Sequence, residues 1–149
     1  MSFGRHLFAL LVAIPLFGFG QNLARISSSE GLSNSSIISL AQDADGYIWA
    51  GSCEGLNLWD GKTVRNYKLS GNLIHEIIPT GDGYLWVRTN YGFDRFDIHN
   101  RTSEQHLQFT RARIVAARSR DEAFMIHGGK LYGYDLQLGE FHEIPPPLR

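Results

Sequence analysis

Short runs of alternating apolar and polar residues, separated by tight-turn signals, make up most of this chain after its first twenty residues. The stretch at 43–61, DADGYIWAGSCEGLNLWDG, combines two turn signals, two tryptophans and an alternating run at 47–52. Alternation with a period of two is typical of a half-buried strand, and Asp60-Gly61 is a strong hairpin signal. The pattern therefore predicts short antiparallel strands joined by tight turns.

The same pattern predicts one short strand followed by three groups of four strands. The expected strands lie at 23–27, then at 37–42, 47–52, 56–59 and 63–67, then at 74–78, 84–89, 93–97 and 103–109, and finally at 112–118, 123–127, 130–135 and 140–144.

The unit at 43–61 recurs twice along the chain. Residues 81–97, GDGYLWVRTNYGFDRFD, form a second copy, and residues 119–135, SRDEAFMIHGGKLYGYD, form an eroded third one. Self-similarity at a nearly fixed period is typical of repeat architectures, and four short antiparallel strands per period make a propeller blade. We therefore predict an all-β fold of about three four-stranded antiparallel blades in an incomplete ring, preceded by a signal-peptide helix.

Aligned copies place turn-forming residues and large apolar residues at equivalent positions. A single blade cannot bury both of its faces, so we expect the apolar residues to pack between blades. The residues that we assign to blade building are Asp43, Gly46, Trp49, Gly55, Leu56, Trp59, Asp60, Gly61, Gly83, Trp86, Gly92, Phe93, Phe96, Asp97, Phe124, Leu131, Tyr134 and Asp135.

The first twenty residues predict a secretory signal peptide, cleaved after Gly20. Arg5 and His6 precede an apolar run at 7–19, which is too short for a bilayer-spanning helix of ~20 residues. An uncleaved anchor is the alternative. The expected organisation is a signal peptide at 1–20, an outer strand and loop at 21–36, blades at 37–72 and 73–110, and a third blade with a truncated end at 111–149. We expect a periplasmic or secreted protein without a membrane span after cleavage.

Composition and residue spacing argue against several kinds of site. The net charge of −1 offers no basic surface for nucleic acid, and Cys53 is the single cysteine, which excludes an intrachain disulfide. The six histidines lack metal-ligand spacing, and 43–46 reads as a turn because glycine falls at its fourth position. No Ser-His-Asp or paired-carboxylate constellation stands out. We expect no metal, no cofactor and no enzymatic activity, with a propeller hydrolase or lyase as the remaining alternative.

Residues 31–61 resemble the two-component regulator propeller repeat, which is found at the N-terminus of large bacterial sensor proteins. The repeat has the pattern D-x-x-G-x-I-W-x-G-T-x-x-G-L-x-x-x-D-G. The matching positions here are Asp43, Gly46, Ile48, Trp49, Gly51, Gly55, Leu56, Asp60 and Gly61. The second copy has Arg88 where the pattern has glycine.

The resemblance implies a non-catalytic, ligand-sensing periplasmic segment whose ligand is a carbohydrate. The parent sensor would be anchored in the inner membrane and would end in a kinase or a DNA-binding regulator. Closed propellers have ~4–8 blades, so we expect a truncated fragment that packs against further blades of its parent. The alternative is a stand-alone secreted glycan-binding propeller that closes its ring with other copies of itself.

Ligand recognition is expected where the copies differ, at the loops of one mouth of the ring. Arg88, Asn90 and Tyr91 in the second blade and His127 in the third add polar or aromatic groups there. We predict these four residues as ligand contacts, with a solvated or packing role as the alternative for each.

Overall fold

The computed structural model describes residues 25–146, which fold almost entirely into antiparallel β-structure. The strands form three four-stranded sheets in simple chain order, so the all-β blade architecture predicted from the sequence is confirmed. The strands are β1 (Ile37–Gln42), β2 (Ile48–Ser52), β3 (Gly55–Trp59), β4 (Val64–Tyr67), β5 (Ile74–Pro79), β6 (Tyr84–Thr89), β7 (Phe93–Asp97), β8 (Thr102–His106), β9 (Arg113–Ala117), β10 (Ala123–His127), β11 (Lys130–Asp135) and β12 (Glu140–Glu143).

Each sheet is one blade: blade 1 comprises β1–β4, blade 2 comprises β5–β8 and blade 3 comprises β9–β12. Because neighbouring strands run antiparallel, the turns after the first and third strands of each blade share one edge, here named the turn edge. The loops after the second and fourth strands share the opposite edge, the loop edge. The blades follow one another side by side, since β1 packs against β5 and β6 packs against β9.

The blades stack face to face around two hydrophobic cores. We call the face toward the next blade along the chain the forward face and the opposite one the backward face. The core between blades 1 and 2 contains Trp49, Leu56, Leu58, Ile74, Ile77, Leu85, Val87 and Phe96. The core between blades 2 and 3 contains Trp86, Phe93, Phe109, Ala112, Ile114, Ala123, Met125, Tyr134 and Phe141.

Equivalent residues of the three copies lie on equivalent faces. The strand register places Trp49, Trp86 and Phe124 on the forward faces of their blades. Both tryptophans are fully buried because another blade packs on them, whereas Phe124 is half-buried because no described residue forms a blade beyond it. The repeat therefore sets which face a residue occupies, and the neighbouring blade sets its burial.

The turn after β1 shows how the first copy closes its hairpin. Asp43 Oδ1 accepts hydrogen bonds from the backbone amides of Asp45 (3.1 Å) and Tyr47 (2.9 Å), and Gly46 has a φ of 87°. This left-handed conformation strongly favours glycine. Asp43 Oδ2 also accepts the buried indole N–H of Trp49 at 2.7 Å, which ties the turn to the core.

The predicted outer strand at 23–27 is not formed at residues 25–27, whereas residues 23 and 24 lie outside the described part of the chain. The chain instead makes a short 3-10 helix at Ser28–Glu30, with Ser27 and Glu30 capping each other. A strand needs a hydrogen-bonded neighbour, and no described strand runs beside this segment. The predicted signal peptide and its cleavage after Gly20 also lie outside the described residues.

The last strand of blade 2 is shorter than expected. β8 ends at His106, where the sequence pattern predicted strand as far as residue 109. A 3-10 helix at Leu107–Phe109 follows it and carries Phe109 into the core between blades 2 and 3. Burial of this ring overrides the local alternation that suggested a longer strand.

Candidate functional site

The predicted ligand contacts all lie at the loop edge. Arg88 is near the end of β6, Asn90 and Tyr91 lie in the β6–β7 loop, and His127 is the last residue of β10. The equivalent loop of blade 1 contains Cys53 and Glu54, and that of blade 3 contains two glycines. The loop edge is thus the part of the blades in which side-chain chemistry changes most from copy to copy.

A hydrogen-bonded latch holds the segment before β1 against blade 1 at this edge. The backbone amide of Ser33 donates to Asn57 Oδ1 (2.8 Å), and its hydroxyl lies 2.9 Å from the hydroxyl of Ser52. Asn57 is fully buried and donates its own amide to the carbonyl of Ala50 at 2.9 Å. The latch therefore satisfies polar groups that the blade would otherwise bury unpaired.

Blade 2 repeats the latch 37 residues later with Ser70, Thr89 and Asp94. The Ser70 amide donates to Asp94 Oδ1 (3.1 Å), the Ser70 hydroxyl donates to Asp94 Oδ2, and the hydroxyls of Ser70 and Thr89 are 3.0 Å apart. Burial raises the pKa of Asp94, and the hydrogen bonds from Ser70 act in the opposite direction. Sequence reasoning missed both latches, although their common spacing of 37 residues was a usable signal.

Blade 3 replaces the polar latch with aromatic contacts. The imidazole of His127 lies 5.5 Å from the ring of Phe109 and 6.3 Å from the ring of Tyr132, measured between centroids. His127 Nδ1 is buried and has no hydrogen-bond partner among the described residues. The structure therefore places His127 in a packed aromatic cluster beside the loop edge.

Arg88 occupies the position that Gly51 holds in blade 1. A Cβ on Gly51 would lie 2.5 Å from Ile74 Cγ2, so blade 2 packs directly against the glycine backbone. Arg88 is instead half-buried in an ion pair, with its Nε 3.3 Å from Glu76 Oε2. Burial and the charge of Arg88 both lower the pKa of the neighbouring His75. Arg88 thus faces blade 3 with its charge already balanced by a carboxylate.

Asn90 and Tyr91 differ in how freely they face solvent. Asn90 fixes the β4–β5 connection, because its backbone amide donates to the carbonyl of Leu73 (3.1 Å) and its side-chain Oδ1 accepts the backbone amide of Leu73 (3.3 Å). Tyr91 is 57% exposed, and its backbone amide donates to Thr89 Oγ1 (3.1 Å). Of the four predicted contacts, Tyr91 presents the most accessible aromatic surface.

Two arginines that sequence reasoning did not select also lie beside the loop edge. Arg111 and Arg113 are exposed, and they line a cleft of about 390 Å³ together with Val115, Ile126 and Gly128. Neither arginine forms a salt bridge with any described carboxylate. Arg113 is the first residue of β9 and Arg111 lies two residues before it, and the signal in the sequence was this pair of arginines just ahead of an apolar run.

The turn edge, by contrast, is built from aspartates that cap backbone amides. Asp60 Oδ1 accepts the amides of Thr63 (2.7 Å) and Lys62 (2.9 Å), and hydrogen bonds from Thr63 chiefly lower the pKa of Asp60 to about 2. Asp97 and Asp135 make equivalent bonds in the other two blades. The aspartates shared between copies therefore serve the turns.

A charged cluster joins blades 2 and 3 near the turn edge. Arg95 forms an ion pair with Glu104, and its guanidinium carbon lies 5.1 Å from the ring centroid of Tyr134 and 5.7 Å from that of Tyr84. Burial raises the pKa of Tyr134 to about 12. The adjoining cleft of about 180 Å³ is small, and its charges are paired, so we assign this cluster to blade packing.

Within residues 25–146, no group of three or more histidine, cysteine, aspartate or glutamate side chains is arranged to hold a metal ion. The thiol of Cys53 is exposed and unbridged in the β2–β3 loop. No helix in the described part of the chain has the length and apolar character needed to cross a bilayer.

Residues 31–54 match the family model of the two component regulator propeller. Over 39 residues the chain is 46% identical to histidine kinase P4 of Formosa agariphila, a match that covers 26% of this chain and 3% of that kinase. In fold, 80% of the chain is similar to the extracellular domain of a protein assigned as a hybrid two component system from B. thetaiotaomicron, with a TM-score of 0.63 and 19% identity.

The chain spans 19% of that extracellular domain and so corresponds to a small part of either relative. The matched segment at 31–54 contains the turn around Asp43, the buried Trp49 and the two serines of the first latch, Ser33 and Ser52, which help to build blade 1. The recognition of this repeat from its sequence is thus confirmed. The chain folds as a segment of three propeller-type blades, and residues 31–54, which lead into and begin the first blade, match the two component regulator propeller model.

Proposed function

We propose that the chain is a non-catalytic, ligand-sensing segment of the extracellular propeller of a bacterial two-component sensor. The observation that carries this proposal is the family match at residues 31–54 on a fold that resembles the extracellular domain of a hybrid two component system. The histidine kinase match supports the same class of parent protein. Such a segment acts outside the inner membrane, in the periplasm or after secretion, once its signal peptide is removed after Gly20.

A carbohydrate is the ligand class that the loop edge suits best. Sugar rings bind through apolar C–H faces that stack on exposed aromatic rings and through hydroxyls that need polar partners. Tyr91 offers the exposed ring, and Arg111 offers a guanidinium without a carboxylate partner among the described residues. The turn edge offers neither feature to the same degree, because its aspartates are engaged with backbone amides.

Sensing requires that the ligand favour one arrangement of neighbouring blades over another. The loop edge is suited to this role because its latches tie blades 1 and 2 to the segments that precede them. A ligand that spans the loops of blades 2 and 3 would bias the packing of the core between these two blades. In the parent sensor this bias would pass through a membrane helix to the kinase or regulator.

A binding screen on the full chain, exported to the periplasm of a bacterial host, tests the proposal. The purified protein is mixed with a panel of oligosaccharides, and its melting temperature is recorded together with any release of smaller products. We expect at least one oligosaccharide to raise the melting temperature and to remain intact. Product release would instead support an enzyme, and no shift with any oligosaccharide would contradict a carbohydrate-sensing role.

A further inference from the structure

Blade 2 exposes two large apolar side chains at its loop edge. Tyr91 in the β6–β7 loop is 57% exposed, and Leu107, which directly follows β8, is 49% exposed. We call these two side chains the apolar platform. Blade 2 lies between blades 1 and 3, so the exposure of the platform does not depend on where the described chain begins or ends.

The two parts of the platform are brought together by a close approach of the backbone at Gly92. A Cβ on Gly92 would lie 2.4 Å from the carbonyl oxygen of His106 and 2.9 Å from Leu107 Cα, and the φ of Gly92 is 149°. Glycine is the residue that suits both conditions. Because consecutive Cα atoms are ~3.8 Å apart, the Cα atoms of Tyr91 and Leu107 lie within about 8 Å of each other.

The fold also fixes the direction of the leucine. Leu107 begins the 3-10 helix that ends at Phe109, and Phe109 is buried in the core between blades 2 and 3. Residues two apart in a helix with three residues per turn point in different directions, so burial of Phe109 turns Leu107 outward. A surface held in this way loses little conformational freedom when a ligand binds to it.

Blade 1 carries charges at the same two positions. Gly55 makes the equivalent approach to the end of β4, since a Cβ there would lie 3.1 Å from the carbonyl oxygen of Tyr67. The residues that correspond to the platform are Glu54 and Lys68, and both are exposed. The blade architecture therefore accommodates solvated charges at these positions and does not itself require the apolar pair of blade 2.

A cation borders the platform on the chain that leads to β9. Arg111 follows Leu107 by four residues through the 3-10 helix and a turn, and at ~2 Å rise per residue their Cα atoms lie within about 8 Å. Arg111 is exposed and pairs with no described carboxylate, whereas Arg118 at the other end of β9 pairs with Glu122. A free guanidinium presents a planar set of donors that matches a carboxylate or a tetrahedral oxyanion.

We propose that the loop edge of blade 2 binds an acidic oligosaccharide. One of its sugar rings stacks on the apolar platform, and its carboxylate or sulfate group pairs with Arg111. Apolar C–H faces suit the platform, and the unpaired guanidinium supplies the charge complementarity that selects an acidic sugar over a neutral one. This inference rests on the proposed carbohydrate-sensing role and adds to it the charge of the ligand and Leu107 as a contact.

Calorimetric titration of the full chain, exported as above, with matched pairs of oligosaccharides tests the proposal. Each uronic acid oligosaccharide is compared with its methyl ester, and each sulfated one with its desulfated form. We expect at least one acidic oligosaccharide to bind about tenfold or more tightly than its neutral partner, with a difference that shrinks as salt is added. Equal or tighter binding of the neutral forms would overturn this inference and leave the carbohydrate-sensing role standing, whereas no binding of any oligosaccharide would contradict both.

Two substitutions separate the contribution of the charge from that of the platform. Arg111→Gln should reduce the preference for the acidic form to less than about threefold and leave the Kd of the neutral form unchanged, whereas Leu107→Ala should weaken both forms alike by about threefold or more. Arg118→Gln and Leu138→Ala are matched controls at exposed positions of the turn edge and should leave each Kd unchanged. The melting temperatures without ligand should stay the same, since all four side chains are exposed. An acid preference that survives Arg111→Gln, or that Arg118→Gln removes equally, would overturn the proposal.

Discussion

At the scale of single residues, the carboxylate of Asp43 has several structural roles in blade 1. Asp43 closes the β1–β2 turn through two backbone amides and satisfies the buried indole N–H of Trp49. In blade 2 the equivalent residue is Thr80, and the indole of Trp86 donates instead to the carbonyl of Ser119 in blade 3 at 3.3 Å. Asp43 therefore accepts the buried indole N–H from within the same blade, whereas in blade 2 a backbone carbonyl of the next blade accepts it.

Replacement of this aspartate tests its structural role. Asp43→Ala removes the acceptor of a fully buried indole N–H, and a buried donor left unpaired costs about 1–3 kcal/mol. We expect the free energy of unfolding in urea to fall by about 2 kcal/mol or more, since the turn amides also lose their acceptor. The control Asp45→Ala alters an exposed turn side chain and should change stability by less than about 0.5 kcal/mol. Equal effects of the two substitutions would refute this role.

His106 supplies a second residue-scale test, because it is buried among aromatic rings. Its ring lies 5.8 Å from Trp86, 5.4 Å from Tyr134 and 5.7 Å from Phe141, and Nε2 has no hydrogen-bond partner in the described chain. Burial lowers the pKa of His106, although the nearby Glu104 acts in the opposite direction. The neutral imidazole is therefore the form that the folded state accommodates.

A lowered pKa makes stability depend on pH in a defined direction. The contribution of His106 is present above its unfolded pKa of about 6.5 and is lost as the pH falls through its folded pKa. We expect the wild type to lose more stability than His106→Phe between about pH 7 and pH 5, since phenylalanine cannot be protonated. Urea unfolding of both proteins across this range measures the difference. If the stabilities of the two proteins changed with pH in parallel, protonation of His106 would not be coupled to unfolding.

At the scale of the element, a side chain contributes to stability according to whether another blade covers the face on which it lies. Phe96 is buried between Trp49 and Tyr67, with ring centroids 5.5 and 5.1 Å away, while its equivalent Trp59 lies on the uncovered backward face of blade 1. The same register position is thus core in one blade and surface in another. Sequence comparison of the copies identifies the position but cannot reveal which copy is covered.

Alanine substitutions of Phe96 and Trp59 should therefore differ in how much they lower stability. Phe96→Ala should lower the free energy of unfolding by about 3–5 kcal/mol, the usual range for a large buried aromatic residue. Trp59→Ala removes a larger ring but should lower it by only about 1 kcal/mol, because that ring is already partly in water. Chemical unfolding in dilute solution provides both values. A larger loss for Trp59→Ala would contradict the assignment of the faces.

Most strands could be predicted because alternation and turn residues are local signals. β6, β7, β10 and β11 begin and end where the pattern placed them, whereas the expected strand ending at Ser27 is absent because its partner strand is not there. The latches escaped detection for a related reason. Ser70 and Asp94 are 24 residues apart, and only the fold shows that one satisfies the other.

At the scale of the whole molecule, the two edges of the blade stack differ in chemistry. Aspartates that cap turns recur from blade to blade at the turn edge, so their structural role could be predicted from the repeat. The loop edge varies, and the sequence located it through Arg88, Asn90, Tyr91 and His127. It could not show that Glu76 pairs with Arg88 or that His127 packs against Phe109, because these partners come from other elements of the fold.

The most direct test of the account compares one exposed tyrosine from each edge. Tyr91 is 57% exposed at the loop edge, and Tyr47 is 40% exposed at the turn edge. Calorimetric titration measures the Kd of wild type, Tyr91→Ala and Tyr47→Ala for the oligosaccharide that stabilises the wild type most.

If ligands bind at the loop edge, Tyr91→Ala should weaken binding at least tenfold, or about 1.4 kcal/mol, while Tyr47→Ala should change the Kd less than twofold. A Kd that responds to Tyr47→Ala and not to Tyr91→Ala would contradict the account and place recognition at the turn edge.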